Sequence, residues 1–134
     1  KSGAKVFLHK VTNPQLFGVA KVNQKNKIQK IIEKPKKFIS NDIITGLYVY
    51  ENKVIEMCEK LKPSKRGELE ITDLNNELIK QNKLEIIELG RGSIWLDAGS
   101  PDDLLNASEF VRILENRSGF EIANLDEINK NFIK

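Results

Sequence analysis

A basic loop running straight into acidic residues is the stretch of this sequence best suited to chemistry: Lys62-Pro63-Ser64-Lys65-Arg66-Gly67-Glu68-Leu69-Glu70-Ile71-Thr72-Asp73. Pro63 and Ser64 break the preceding helix, and Gly67 frees the backbone just after Arg66. Glu68 and Glu70 favour a helix start through the helix dipole, with Leu69, Leu74 and Leu78 as apolar positions for a buried face. Such a loop holds a guanidinium at the mouth of a helix. The planar fork of Arg66 suits a phosphate, because it can bind two oxygens at once. On spacing alone, a solvated loop with a helix cap is the plainer reading.

Other polar residues fall where side chains can face a cleft. Glu33 and Lys34 end a strand just before Pro35. There Glu33 could accept hydrogen bonds from sugar hydroxyls, and Lys34 could meet a phosphate as a point charge. Asp97 follows Trp95 and precedes Gly99 at a strand-to-loop corner. An aspartate in that place is commonly a turn former, and it is also a hard oxygen ligand of the kind magnesium takes beside phosphates. Gly18 breaks a strand early, and a glycine inside a strand often marks close approach of backbone or ligand. His9 has no evident acidic or nucleophilic partner, so a surface or packing role is expected. Phosphate-loop, dinucleotide, zinc-protease and paired-cysteine motifs do not occur in the sequence.

The elements that must position these residues read as strands in the first half and interleaved helices in the second. Strands are predicted over Val6 to Val11, Phe17 to Val22, Ile28 to Lys34, Ile43 to Tyr50 and Leu84 to Leu89, with a polar turn at Asn23 to Asn26 joining the second to the third. The fourth, rich in β-branched and aromatic residues around Gly46, reads as buried. A short helix over Asn52 to Leu61 and the helix after the basic loop, ending near Asn82, separate the last two strands. Ser100 then caps a helix with Pro101 at its first position and Asp102 and Asp103 in its first turn, ended by Gly119. Leu104, Leu105, Ala107, Phe110, Val111 and Leu114 give it an apolar face, and Leu125 to Ile133 forms a further short helix. The pattern is α/β.

The chain's 134 residues are one domain's worth. A net charge of +3 from 22 basic and 19 acidic residues, dispersed along the chain, argues against a nucleic-acid partner. No apolar run approaches membrane length and no secretory signal is seen. The single cysteine, Cys58, lies among Val54, Ile55, Met57 and Leu61 and reads as a small buried or half-buried helix residue of a reducing compartment. The chain opens without Met, as a processed, cloned or excised piece would.

Taken in order, Phe17-Gly18-Val19, Glu33-Lys34-Pro35, Thr45-Gly46-Leu47-Tyr48, Arg66 to Asp73 and Trp95-Leu96-Asp97-Ala98-Gly99 closely resemble the sugar-phosphate nucleotidyltransferases, nearest to the branch that joins glucose-1-phosphate to dTTP. The resemblance covers nearly the whole chain. It implies the C-terminal, sugar-binding portion of a nucleotide-diphospho-sugar transferase fold, a mixed sheet with flanking helices. Residues 1–99 would be the sugar-phosphate-binding part and 100–134 a C-terminal helical segment. The family's N-terminal half, with its Gly-rich triphosphate loop, has no counterpart here.

Carried over by position, the resemblance implies that Gly18 lets the backbone contact the sugar and that Glu33 holds sugar hydroxyls. Lys34 and Arg66 would bind phosphate and serve catalysis, Gly46 would line the sugar pocket, and Asp97 would hold Mg2+ with a second carboxylate from the missing half. Phe17 stands where the family commonly has Tyr, and Ala98 where it has Thr. A cytoplasmic homo-oligomer is implied, with this chain alone inactive. A non-catalytic sugar-phosphate-binding or regulatory domain of the same fold is the alternative.

Overall fold

The computed structural model describes residues 3–25 and 27–132, which fall into two compact units divided between Ser93 and Ile94. Ile133 of the predicted last helix and Asn26 of the predicted turn lie outside the described residues. In the first unit, five strands make one sheet: β1 (Ala4–Lys10), β2 (Gly18–Val22), β3 (Ile28–Glu33), β4 (Asp42–Val49) and β5 (Leu84–Glu88). Their order is β3-β2-β4-β1-β5, with β1 and β5 parallel and the other pairs antiparallel. Helices α1 (Val54–Cys58) and α2 (Ile71–Lys80) lie in the crossover from β4 to β5. The mixed sheet with flanking helices is therefore present as expected.

Alternation along β1 shows why the layers form: Ala4, Val6 and Leu8 are buried, and the residues between them are not. Val6 and Leu8 pack with Ala20, Ile31 and Ile44, while Ala4 packs with Leu74 and Leu78 of α2. Fully burying a side chain such as Ile31 is worth about 1.5–3 kcal/mol, so this face holds the sheet and α2 together.

Three expectations are corrected in this unit. The helix after the basic loop starts at Ile71, because Glu70 is still extended and a tight turn closes from Ser64 to Glu68 around Gly67, at φ 79°. Leu69 therefore precedes the helix and is exposed, and the buried face of α2 is Thr72, Leu74, Asn75 and Leu78. The fourth strand is buried only over Ile43, Ile44 and Thr45; Gly46, Leu47 and Val49 are exposed. Cys58 is exposed: α1 is one short turn flanked by three-residue turns, and only Val54 and Met57 of it pack, partly buried, against the core.

In the second unit, residues 94–99 carry no regular secondary structure, so the corner at Asp97 does not follow a strand as predicted. Helix α3 (Pro101–Ser118) starts where Ser100 Oγ accepts from the Asp103 N–H and donates to Asp103 Oδ2, an N-cap held by the serine hydroxyl. It ends at Gly119 in the left-handed region, whose N–H donates to the Glu115 carbonyl. No residue of α3 is buried: Ala107, Phe110 and Val111 are half-buried, and Leu104, Leu105 and Leu114 are exposed. Helix α4 (Leu125–Phe132) follows.

Candidate active site

The end of β3 and the start of α2 are joined by two side chains of the helix. The Thr72 hydroxyl donates to Glu33 Oε2 at 2.6 Å, a short charge-assisted bond at the last residue of the strand. One helical turn later, Asn76 Oδ1 accepts from the Ile31 N–H and its Nδ2 donates to the Ile31 carbonyl, both at 2.8 Å. Four helix residues and two strand residues each span about 6 Å, so the contacts match in pitch and lay α2 antiparallel along β3. Because β3 ends the sheet, the Ile31 groups have no strand beyond them, and Asn76 supplies the missing partner.

Gly18 faces Glu33 across the β2–β3 ladder. A Cβ there would sit 3.2 Å from Glu33 Oε2 and 3.4 Å from Thr72 Oγ1. A side chain at this position would therefore press on the Glu33 carboxylate, and glycine leaves room for its close approach. Tyr48 lies within electrostatic reach: burial first, then the Glu33 carboxylate, raises its hydroxyl pKa above the usual value.

Lys34 continues the pairing by one residue, its N–H donating to the Phe17 carbonyl at 3.0 Å. Its φ is 39°, an unfavourable value for a residue with a Cβ, and the following buried Pro35 narrows its options further. Such strain is tolerated where neighbours over-determine the backbone, and it concentrates at functional sites. The exposed Lys34 ammonium makes no ion pair among the described residues.

The Arg66 guanidinium is held beside the same helix start. It pairs with Glu68 at 3.0 Å and with Glu70, the residue before α2, at 3.3 Å. Ser64 Oγ accepts from the Arg66 N–H and donates to Glu70 Oε1, so the loop is braced by the carboxylate that also neutralises the fork. A phosphate entering here competes with Glu68, which is exposed and easily displaced.

Gly46 occupies a bulge. Val6 pairs with Tyr48 and Leu8 with Ile44, leaving Thr45, Gly46 and Leu47 opposite Phe7 alone. Thr45 Oγ1 donates to the Phe7 carbonyl, and a Cβ on Gly46 would meet nothing within 4 Å. Bulges of this kind re-aim backbone beside binding sites.

The structure therefore brings Gly18, Glu33 and Lys34 together with Thr72 and links Arg66 to the same helix start through Glu70. Gly46 stands apart on β4. Asp97 belongs to the second unit, where its Oδ1 accepts from the Ala98 N–H at 2.9 Å. Among the described residues no three His, Cys, Asp or Glu side chains group as a metal site. Asp97 offers one hard oxygen group, which suits magnesium only in company with phosphate oxygens and a further carboxylate. Sequence reasoning missed the roles of Thr72, Asn76 and Tyr48. The available signal was two polar residues four apart beside Leu74 and Leu78 on one helix face.

The nucleotidyl transferase family model matches residues 1–113. Two glucose-1-phosphate thymidylyltransferases are close relatives: that of Neisseria meningitidis is 44% identical over 94% of this chain, and that of Mycolicibacterium smegmatis 41% identical over 95%. The chain spans 44% of the length of each. Among solved structures, a Bacillus anthracis chain described with sucrose as a candidate glucose-1-phosphate thymidylyltransferase superposes with a TM-score of 0.74 and 45% identity, covering 84% of this chain and 44% of its own. A UDP-glucose pyrophosphorylase complexed with UDP-glucose matches at TM-score 0.69 and 23% identity, covering 80% and 43%, a likeness of fold alone. With the family model matched over most of its length, this chain belongs to the nucleotidyl transferase family.

Proposed function

We propose that this chain is the sugar-phosphate side of a glucose-1-phosphate thymidylyltransferase, residues 1–99 holding the sugar phosphate. The observation that carries the reading is the corner where Gly18, Glu33, Lys34 and the start of α2 meet, a carboxylate and an exposed ammonium at the end of the sheet. Glu33 accepts from sugar hydroxyls, and Lys34 and Arg66 hold the phosphate. Gly46 gives the ligand room at the bulge.

In the whole enzyme, a phosphate oxygen of glucose-1-phosphate attacks the α-phosphorus of dTTP. One P–O bond forms as the bond to the β-phosphate oxygen breaks, releasing pyrophosphate with no covalent enzyme intermediate. Both reactants are anions, so holding them in line and offsetting their charge is the protein's main task. Lys34 and Arg66 offset charge on the attacking phosphate and fix its direction. Asp97 is the residue here suited to hold Mg2+ with a second carboxylate from the rest of the enzyme; bound there, the ion would stabilise charge on phosphate oxygens.

Two assays test the reading. With dTTP, glucose-1-phosphate and magnesium, the chain alone should release no pyrophosphate, and robust turnover would contradict the division of labour. Calorimetry should show glucose-1-phosphate binding that Arg66→Ala weakens by about tenfold or more, as expected for a lost charge-assisted contact. Equal affinity in wild type and variant would remove Arg66 from the site.

A further inference from the structure

We propose that Thr72 is a positioning residue that sets which oxygen of Glu33 meets the sugar, an inference that rests on the reading of Glu33 given above. Thr72 is buried, and its hydroxyl donates to Glu33 Oε2 at 2.6 Å. Glu33 Oε1 has no hydrogen-bond partner among the described residues. One carboxylate oxygen is thus committed to the protein, and the other is left as an acceptor for a sugar hydroxyl.

The surroundings allow little freedom in that choice. Gly18 lies against both Oε2 and the Thr72 hydroxyl, so the carboxylate is bounded by the β2 backbone on one side and by α2 on the other. The Asn76 clamp on Ile31 fixes the helix one turn away, which holds the Thr72 hydroxyl in place over the strand end. Without that hydroxyl, Glu33 regains its side-chain rotations, and a ligand must select one of them. The phosphate is held by other groups, Lys34 and Arg66, so the effect of Thr72 falls on the sugar hydroxyls alone.

The test compares two probes, glucose-1-phosphate and inorganic phosphate, by calorimetry on wild type, Thr72→Val, Thr72→Ser and Glu33→Gln. Valine keeps the shape and removes the donor; Thr72→Ala serves if valine is not tolerated. The expected result is a loss of about tenfold in glucose-1-phosphate affinity for Thr72→Val, the size of one hydrogen bond to a charged group, with inorganic phosphate affinity unchanged. Thr72→Ser should restore sugar-phosphate binding to within about twofold of wild type, because it returns the donor. Equal weakening of both probes together with a lower melting temperature would assign Thr72 a structural role and overturn the inference, as would failure of serine to rescue. Loss in Glu33→Gln without loss in Thr72→Val would overturn the inference and leave the Glu33 reading standing. No loss in Glu33→Gln, or no binding of either probe by wild type, would overturn both.

Discussion

Glu33 and Arg66 flank the start of the same helix, and they are held in opposite ways. The Glu33 carboxylate rests on a neutral donor from a buried residue, within a sheet and helix fixed by Asn76. Arg66 sits on a loop and is already neutralised by two carboxylates, Glu68 and Glu70. The first arrangement leaves charge and an open oxygen available to a ligand. The second must exchange a partner before it can grip a phosphate. In the proposed roles, Glu33 reading the sugar is set in advance while Arg66 reading the phosphate must first be released, which would make the phosphate contact the more adjustable of the two.

The largest effect expected from the proposed function is on turnover of the complete enzyme. Arg66→Lys keeps the charge and loses the two-pronged geometry, and kcat/KM should fall by about tenfold to a hundredfold on removing such a contact. Steady-state kinetics would show it, and an unchanged value would mean that Arg66 serves only its own loop. Next comes Asn76→Ala, which strips Ile31 of its partner and should lower stability by about 1–3 kcal/mol, read from urea unfolding. A variant as stable as wild type would show that the clamp does not fix α2.

Smaller effects separate the two glycines. Gly18→Ala should weaken glucose-1-phosphate binding several-fold, by roughly 1 kcal/mol, since the new methyl would press on Glu33 and Thr72. Gly46→Ala should leave the melting temperature unchanged, because its Cβ meets open space, while reducing ligand affinity if that space is the ligand's. Smallest of all, Glu68→Gln should tighten phosphate binding by about twofold, in keeping with the value of an exposed ion pair. Weaker binding would show that Glu68 steers Arg66 rather than competing for it.

Much of this corner was legible in the sequence. Gly18, Glu33 and Lys34 were placed on adjoining strands by simple patterning and by Pro35, and their pairing follows from the hairpin. The bulge at Gly46 was not legible, because two extra residues leave both the composition and the alternation of the strand unchanged; Val49 is exposed on the face it shares with its exposed partner Lys5. The helix start was misplaced by three residues because acidic residues favour a helix electrostatically, yet Glu68, closing a tight turn, and the extended Glu70 are engaged with Arg66 ahead of the helix. Thr72 and Asn76 were hidden by their type. Polar residues on a helix read as solvent-facing until the strand that satisfies them is in view.

The central claim, that a sugar phosphate binds where β3 meets α2, is tested most directly by titrating the isotopically labelled protein with glucose-1-phosphate and following its backbone amides by NMR. The account predicts saturable shifts at Gly18, Lys34, Gly46 and Gly67, abolished for Gly18 and Lys34 in Glu33→Gln. Shifts confined to the outer face of α2, around Lys60, Glu77 and Lys80, with none at Gly18 or Lys34, would contradict it.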